Sequence, residues 1–421
     1  MPKTWFKMCV GIAAAVVPFI GISRAQTSEI DKSAAPTTII DASAAPKTQA
    51  AVDRITRARF ALEYSEFDRR YSALFEAGQV DGPTKARINR TFDRLTREFF
   101  RKDQSRAMQM IEALTSSLPL PATGFRESPR ISTSAIIGLD IARQNLVSRI
   151  IAAKENVPVW VVKAVEARLE LLRDHPGEAT AAQFLADRDQ LRKQLEQEVE
   201  SVEAGKNPYV GKVGTWWTLL TTASGARIPA FIHVPASLDI SKPVPLLIAL
   251  HGAGADESMF PFGYGAGRLS KLADEKGFIV VSPNTFSVLG SGTAGADVLA
   301  ATLEQIASIR TIDTGRVYLL GHSLGAITAW GLGNQKPGEI AAIALIGAIP
   351  ALPPDLTKVP PTLLMIGELD NIFPAKAAAR RAIEMREKGA KLFEDHVVAD
   401  TGHTLIVGEE LPGVIDWLLS R

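Results

Sequence analysis

The chain has 421 residues, of which 46% are hydrophobic and 22% are charged, a composition typical of a globular protein long enough for two domains. Lysine and arginine number 47 against 46 aspartates and glutamates, so the net charge is only +1. This balance argues against a nucleic-acid partner, because such binding depends on a broad basic surface.

Residues 1–25 have the features of a secretory signal peptide. Two lysines precede an apolar run over residues 8–22, and the small-x-small sequence "SRA" follows it. The run contains Pro18 and is shorter than the roughly 20 apolar residues that cross a bilayer, so a membrane anchor is the weaker interpretation. We therefore expect cleavage after Ala25, a secreted or periplasmic protein, and no stable membrane span in its mature form.

The single cysteine of the chain, Cys9, lies inside this leader. The mature protein would then contain no thiol and no disulfide, and its stability would depend on core burial. Beyond the leader, residues 26–50 are predicted to form a flexible linker, since Ser-Ala-Ala-Pro occurs at 33–36 and again at 43–46.

Residues 51–205 are predicted to form a helical domain. Apolar residues recur every three or four positions in two stretches, which places each set on one helix face. The sets are Phe60, Tyr64, Phe67, Tyr71 and Leu74, then Ile88, Phe92, Leu95 and Phe99. Stretches 158–174 and 178–203 are also predicted helices. We interpret the aromatic stripe as the seam of a helical bundle rather than as a binding groove.

The composition changes near residue 205, and residues 206–421 are predicted to form an α/β domain. Gly225 indicates a hairpin between two alternating runs. Further on, continuous apolar strands alternate with helices, which predicts a mostly parallel sheet covered on both faces. The predicted strands are 245–252, 277–284, 316–323, 341–347, 362–368 and 391–398, and the predicted helices are 266–276, 295–310 and 375–389.

The pentapeptide Gly-His-Ser-Leu-Gly at 321–325 lies between a predicted strand and a predicted helix over 325–333. In this context G-x-S-x-G forms a strained turn that exposes the serine hydroxyl, and the glycines prevent crowding of the neighbouring elements. Ser323 is therefore the predicted nucleophile, and His322 is expected to support the turn.

A serine nucleophile needs a base that is itself oriented by an acid. Sites on open parallel sheets lie beyond the carboxyl ends of the strands, where Asp370 and His403 both occur. The order Ser323, Asp370, His403 is the one found on such sheets. Glu368 and Asp400 are the weaker candidates for the acid. His175, His233 and His396 are expected to lie away from the site.

Attack on an acyl carbonyl also requires two donors for the oxyanion. The backbone N–H of Leu324, at the start of the helix after the turn, is one candidate. The second is expected in the loop "HGAG" at 251–254, where small residues allow the backbone to approach a substrate. Ala253 is the predicted donor, and Gly252 is the alternative.

The segments "LLIALHGAG", "DTGRVYLLGHSLGA", "MIGELD" and "DTGHT" together resemble serine esterases of the α/β-hydrolase superfamily. The resemblance is to dienelactone-hydrolase, polyhydroxybutyrate-depolymerase and feruloyl-esterase-like proteins. It covers about 206–421 and not the helical region. It implies an acyl-enzyme mechanism without cofactor or metal, with Ser323 as nucleophile, His403 as general base then acid, and Asp370 orienting it. A serine stands where dienelactone hydrolase has a cysteine.

The loop after strand 341–347 is proline-rich and too short for a cap domain, which predicts an open site for soluble or bulky esters. Several aromatic residues are candidates for lining it, with core packing as the equal alternative for each. The candidates for substrate binding are Phe260, Phe286 and Trp330, followed by Phe262, Tyr264 and Phe373.

Three functions are compatible with these motifs. The favoured one is an exported esterase that cleaves small-molecule or polymer-derived carboxylic esters. A prolyl-oligopeptidase-type peptidase would use the same triad, but its usual partner domain is a β-propeller and not a set of helices. The third is a non-catalytic binding protein on a hydrolase scaffold, against which the complete triad argues.

Overall fold

The computed structural model describes residues 49–101, 103–120, 137–173, 180, 182, 188–239, 241–291 and 295–421. The predicted signal peptide, nearly all of the predicted linker and His175 lie outside these residues. Residues 56–421 form one compact unit, and of the residues before it only the start of one helix is described. No helix in the described ranges is long and apolar enough to cross a membrane.

A single eight-stranded sheet lies at the centre of the larger unit, in the order β1-β2-β4-β3-β5-β6-β7-β8. Only β2 runs against its neighbours, and every other adjacent pair is parallel. The strands are β1 (Gly214–Thr221), β2 (Arg227–Val234), β3 (Val244–Leu250), β4 (Ile279–Pro283), β5 (Ile312–His322), β6 (Ala342–Ile346), β7 (Thr362–Gly367) and β8 (Phe393–Val398). The predicted fold, a mostly parallel sheet preceded by helices, is confirmed.

Twelve helices of the described residues surround this sheet. The six that precede it are α1 (Gln49–Glu76), α2 (Gly82–Phe100), α3 (Gln104–Ser116), α4 (Ile137–Ala152), α5 (Val159–Glu170) and α6 (Arg188–Glu203). The six interleaved with its strands are α7 (Arg268–Lys276), α8 (Thr285–Gly290), α9 (Ala296–Ala307), α10 (Leu324–Gln335), α11 (Ala375–Glu387) and α12 (Ile406–Leu419).

The central strands are buried on both sides because helices cover each face of the sheet. Every residue of β3 is buried, and its side chains alternate between two cores. Leu246, Ile248 and Leu250 face a core that contains residues of α4–α6 and α9–α11. Leu247 and Ala249 face the other core, which is formed with α7 and α12.

The aromatic stripe of α1 and α2 is the seam between these two helices, as predicted. Phe67, Ile88 and Leu95 are completely buried, and the rings of Phe67 and Phe92 stack with centroids 5.2 Å apart. Leu405, from the loop before α12, belongs to the same apolar cluster. The helical pair is therefore packed directly against the α/β part of the unit.

A buried ion pair joins α5 and α6 to the first strand of the sheet. Arg168 donates from Nε to Glu198 at 3.0 Å and from a terminal nitrogen to the carbonyl of Trp217 at 2.6 Å. Burial opposes the charge on Glu198, but Arg168 and Lys212 hold the pKa of this carboxyl below its usual value. The predicted boundary at 205 falls between α6 and β1, and the division into two domains there stays a prediction.

We predict that Arg168→Met lowers the free energy of unfolding by about 3–5 kcal/mol, because it removes one partner of a buried charge pair. The matched control is Arg149→Met, which removes an exposed pair between Arg149 on α4 and Glu203 on α6. This control should cost far less, since exposed pairs contribute little. Chemical denaturation measures both losses, and equal losses would contradict the prediction.

Candidate active site

The predicted nucleophile lies at a strained turn between β5 and α10. Ser323 has φ 52° and ψ −116°, an uncommon conformation for a residue with a side chain, and its N–H donates to the carbonyl of Ile346 at 2.8 Å. A methyl group on Gly321 would lie 2.3 Å from the carbonyl oxygen of Gly325, and one on Gly325 would lie 1.9 Å from that of Leu250. Both flanking glycines are therefore sterically required.

The structure brings Ser323, His403 and Asp370 together in one hydrogen-bonded chain. Nε2 of His403 lies 3.0 Å from the hydroxyl oxygen of Ser323, and Nδ1 lies 2.8 Å from Oδ2 of Asp370. Because a carboxylate only accepts, Nδ1 carries the proton and Nε2 is left to accept from the hydroxyl. This is the arrangement in which an imidazole can withdraw a proton from the serine.

The other oxygen of Asp370 is held by the turn that follows β7. Oδ1 accepts from the backbone N–H groups of Ile372 and Phe373, both at 2.8 Å, so the carboxylate has one fixed orientation. Of the two weaker candidates for the acid, Glu368 is exposed and accepts from the backbone N–H of Asp400 at 3.2 Å. The structure thus places Asp370 on His403 and directs Glu368 away from it.

His403 is almost completely buried, yet its pKa is raised above the ordinary histidine value. Burial alone would disfavour the charged imidazole. The charge of Asp370 and its hydrogen bond to the ring outweigh burial, and Asp93 adds to them. The site is therefore arranged to stabilise a positive charge on His403.

The loop "HGAG" lies directly against the turn that carries Ser323. A methyl group on Gly252 would lie 3.4 Å from Cβ of Ser323, so this backbone borders the hydroxyl. The N–H of Gly252 donates to the hydroxyl of Tyr264 at 3.3 Å, so this one of the two predicted donors in the loop is already engaged, and donation by Ala253 stays a prediction. Leu324 is the first residue of α10, so its N–H belongs to the helix N-terminus.

His322 connects three parts of the site, a role that extends the predicted support of the turn. Its Nε2 donates to the carbonyl oxygen of His403 at 2.9 Å, and its Nδ1 accepts from the Tyr264 hydroxyl at 2.8 Å. Burial, with the nearby charge of His403, holds its pKa well below the ordinary value. The neutral ring therefore joins the serine turn, the His403 loop and, through Tyr264, the "HGAG" loop.

His251 anchors the start of the "HGAG" loop as a second neutral imidazole. Its Nδ1 donates to the carbonyl of Gly252 at 2.8 Å, and its Nε2 accepts the N–H of Thr285 at 3.0 Å. Burial lowers its pKa to about 4. The loop is thereby fixed to the end of β4 without an ionised group.

The aromatic candidates lie at different depths. Phe260 is completely buried against Tyr264, and Trp330 is 6% exposed and donates to the carbonyl of Ala351. Phe286 is half-buried beside His251, with ring centroids 6.2 Å apart. Phe373 lies next to His403, with ring centroids 5.9 Å apart. Phe262 packs against Phe231. Substrate contact by these residues stays a prediction.

Two histidines predicted to lie away from the site do so. His233 lies in the second strand and bonds to Thr215 at 2.7 Å and to Asp274 at 3.1 Å. His396 lies in the eighth strand and is exposed.

Helix α2 supplies residues of the site that sequence reasoning missed. Asp93 accepts from the backbone N–H of His403, and Asn89 accepts from that of Gly402. At the end of the same helix, Phe100 closely approaches the "HGAG" loop, where a methyl group on Gly254 would lie 2.9 Å from its ring. One pattern in the sequence could have pointed to them: Asn89 and Asp93 are four residues apart, and each directly follows a residue of the apolar stripe, Ile88 or Phe92.

Comparisons with known proteins agree with this architecture. Residues 247–354 match the Alpha/beta hydrolase family. Over 117 residues the chain is 32% identical to a bifunctional acetylxylan esterase/xylanase of Neocallimastix patriciarum, a match that covers 27% of this chain and only 17% of that protein.

Similar solved structures include a thermostable esterase, which is 20% identical in sequence with a TM-score of 0.39. The match covers 49% of this chain and 62% of that chain. A feruloyl esterase module from Clostridium thermocellum matches at 12% identity, 48% of this chain, 86% of that chain and a TM-score of 0.37. A ferulic acid esterase from Anaeromyces mucronatus matches at 14% identity, 46% of this chain, 87% of that chain and a TM-score of 0.39.

We predict that Gly325→Ala destabilises the protein and disorders the serine turn, because the added methyl group has no space beside the carbonyl of Leu250. Gly331→Ala is the matched control on the same helix, since a methyl group there meets no atom within 4 Å. It should be neutral or stabilising by up to about 1 kcal/mol, through helix propensity. Thermal unfolding compares the two, and equal stability would refute the steric argument.

Proposed function

We propose that this protein is a serine hydrolase that cleaves carboxylic esters, which is consistent with the match of residues 247–354 to the Alpha/beta hydrolase family. The observation that carries the proposal is the chain of hydrogen bonds from Ser323 through His403 to Asp370. A buried imidazole held between a hydroxyl and a carboxylate is the arrangement that activates serine for attack on an acyl carbon.

In the proposed acylation step, Ser323 Oγ attacks the acyl carbonyl while Nε2 of His403 takes the hydroxyl proton. The carbonyl oxygen becomes an oxyanion, for which the N–H groups of Ala253 and Leu324 are the proposed donors. The imidazolium formed is stabilised by Asp370 and gives its proton to the departing alcohol. An ester bond now joins the acyl group to Ser323.

Deacylation repeats these steps with water as the nucleophile. Nε2 of His403 takes a proton from the water as its oxygen attacks the acyl carbon, and a second oxyanion forms at the same donors. Collapse releases the carboxylic acid, and the proton returns from His403 to Oγ of Ser323. This sequence requires no cofactor or metal.

The substrate class is proposed from the site and from the curated relative. A relative named as an acetylxylan esterase/xylanase makes acetyl esters of polysaccharides the first substrates to test. Phe373 beside His403 and the half-buried Phe286 beside His251 are the proposed apolar contacts for the acyl or alcohol group. Phe260 and Trp330 are better suited to supporting the site from the core.

We also propose that the protein is exported, to the periplasm or outside the cell. The support is the order of lysines, apolar run and small-x-small sequence in residues 1–25. Expression of the full chain, followed by N-terminal sequencing of the product, tests this proposal. A product that begins at Gln26 is expected, and an uncleaved cytoplasmic product would refute it.

We predict that a fluorophosphonate probe labels the native protein at Ser323 and does not label Ser323→Ala. Ser201→Ala, at a partly exposed position of α6, should label as the native protein does. A panel of acyl esters, including acetylated xylan, and peptide anilides then separates reaction classes. Absence of labelling in the native protein would refute the hydrolase proposal. Faster cleavage of anilides than of esters would favour a peptidase.

We predict that Asp370→Asn lowers kcat roughly 10⁴-fold, because an amide donating to His403 favours the wrong tautomer of the imidazole. Glu368→Gln is the matched control, since Glu368 is exposed and its side chain accepts only from the backbone N–H of Asp400 among the described hydrogen bonds. Its rate should stay near that of the native protein. Comparable losses in both variants would contradict the assignment of Asp370.

We further predict that kcat/KM falls as the pH is lowered through a value above the ordinary pKa of histidine. Protonated His403 cannot take the proton of Ser323, and its pKa is raised in the folded protein. Activity is therefore lost on acidification and retained as the pH rises. A pH–rate profile of the free enzyme measures the position of this limb, and its absence would argue against His403 as the base.

A further inference from the structure

The loop that carries His403 is held by two polar side chains from helix α2. Oδ1 of Asn89 accepts from the N–H of Gly402 at 2.8 Å, and the carboxylate of Asp93 accepts from the N–H of His403 at 3.0 and 3.2 Å to its two oxygens. Both side chains are buried, with Asn89 fully covered and Asp93 4% exposed. These bonds fix two consecutive peptide groups of the loop.

The packing at this contact is as specific as the hydrogen bonds. A methyl group on Gly402 would lie 2.6 Å from an oxygen of Asp93, so the carboxylate occupies the space where any larger residue would place its side chain. The helix can approach the loop this closely only because residue 402 is a glycine.

A second set of bonds keeps the two helices in register with the loop. Glu409, on α12 and 7% exposed, accepts from the hydroxyl of Tyr71 at 2.6 Å, from the amide of Asn89 at 3.1 Å and from the hydroxyl of Thr401 at 3.1 Å. Tyr71 and Asn89 contact Oε1, whereas Thr401 contacts Oε2, and Lys85 lies 3.0 Å from Oε2 and supplies the opposite charge. The contact between α2 and the loop is therefore anchored on both sides.

The charged groups that face Asp93 are His403, from the loop, and Asp370, from the end of β7. Burial raises the pKa of Asp93 to about 6, whereas the backbone N–H groups of His403 and Thr404 and the charge of His403 oppose the shift. The contacts with the loop therefore favour the ionised carboxylate of Asp93. In turn it acts with Asp370 to raise the pKa of His403.

We propose that Asp93 is a positioning residue of the active site, which holds the backbone of His403 and stabilises the positive charge that its imidazole acquires. This inference rests on the proposed function of Ser323 and His403. It assigns to the N-terminal helices a part in the reaction: α2 supplies a second carboxylate that acts on the histidine through the peptide backbone and through space.

The test compares Asp93→Asn with the native full chain. The amide oxygen of asparagine can still accept the N–H of His403, so the loop stays in place and only the charge is lost. The pKa of His403 should then fall, the acid limb of kcat/KM should move to lower pH, and kcat should fall about tenfold, the equivalent of one pKa unit of interaction. KM should change little, because Asp93 does not contact the substrate.

A second variant, Asp93→Leu, removes the acceptor together with the charge. It should lower kcat further than Asp93→Asn does, and it should slow labelling of Ser323 by the fluorophosphonate probe. Asp68→Asn controls for the exchange of a buried aspartate for asparagine, because Asp68, on α1, accepts a backbone N–H, that of Ala266, outside the His403 loop. Burial raises the pKa of Asp68 to about 8, so this variant tests the effect of the substitution on packing and not the loss of a charge. It should leave the acid limb where it is in the native protein.

Titration of the His403 imidazole by NMR in the native protein and in Asp93→Asn makes the test independent of activity. A lower pKa in the variant supports the proposal, and an unchanged pKa with an unchanged kcat overturns it. A native protein that neither hydrolyses esters nor reacts with the probe would overturn the proposed function instead, even if this titration showed the expected shift.

Discussion

The close approach of helix α10 to the end of strand β3 is the constraint on which the site depends. The Cα of Gly325 lies so near the carbonyl of Leu250 that no side chain can be placed between them. This contact holds the N-terminus of α10 beside the "HGAG" loop, and Ser323 has its uncommon backbone conformation at the turn that leads into it. The positions of the nucleophile and of both proposed oxyanion donors follow from one steric requirement.

Around that contact, three buried histidines have environments that favour different protonation states. His251 and His322 each have both ring nitrogens engaged by groups of fixed donor or acceptor character, so both rings are neutral. Of these three, only His403 is hydrogen-bonded to a carboxylate, and only its pKa is raised. The site therefore concentrates positive charge on the one imidazole that contacts Ser323, and its neighbours contribute only orientation.

Much of this architecture could be predicted from the sequence, because it depends on local patterns. Continuous apolar runs predicted the parallel strands, and the spacing of Phe67 and Tyr71 predicted the helical seam. The order of motifs selected Asp370 and His403, which the structure brings together. Asn89 and Asp93 escaped prediction because their partners lie 313 and 310 residues away, and no periodicity in the sequence encodes such a contact.

The depth of aromatic side chains could not be predicted from the sequence either, since Phe260 and Phe286 follow site loops in the same way and differ only in tertiary packing.

The N-terminal helices lie outside the recognised motifs, yet tertiary contacts fix their position against the site. Glu409 is buried with an ionised partner, Lys85, on α2. Separation of the helices from α12 would break this pair and the hydrogen bonds of Glu409 with Tyr71 and Asn89, and it would expose the apolar cluster that Leu405 shares with α1 and α2. The contacts that hold α2 against the His403 loop therefore contribute both to the stability of the helices and to the geometry of His403.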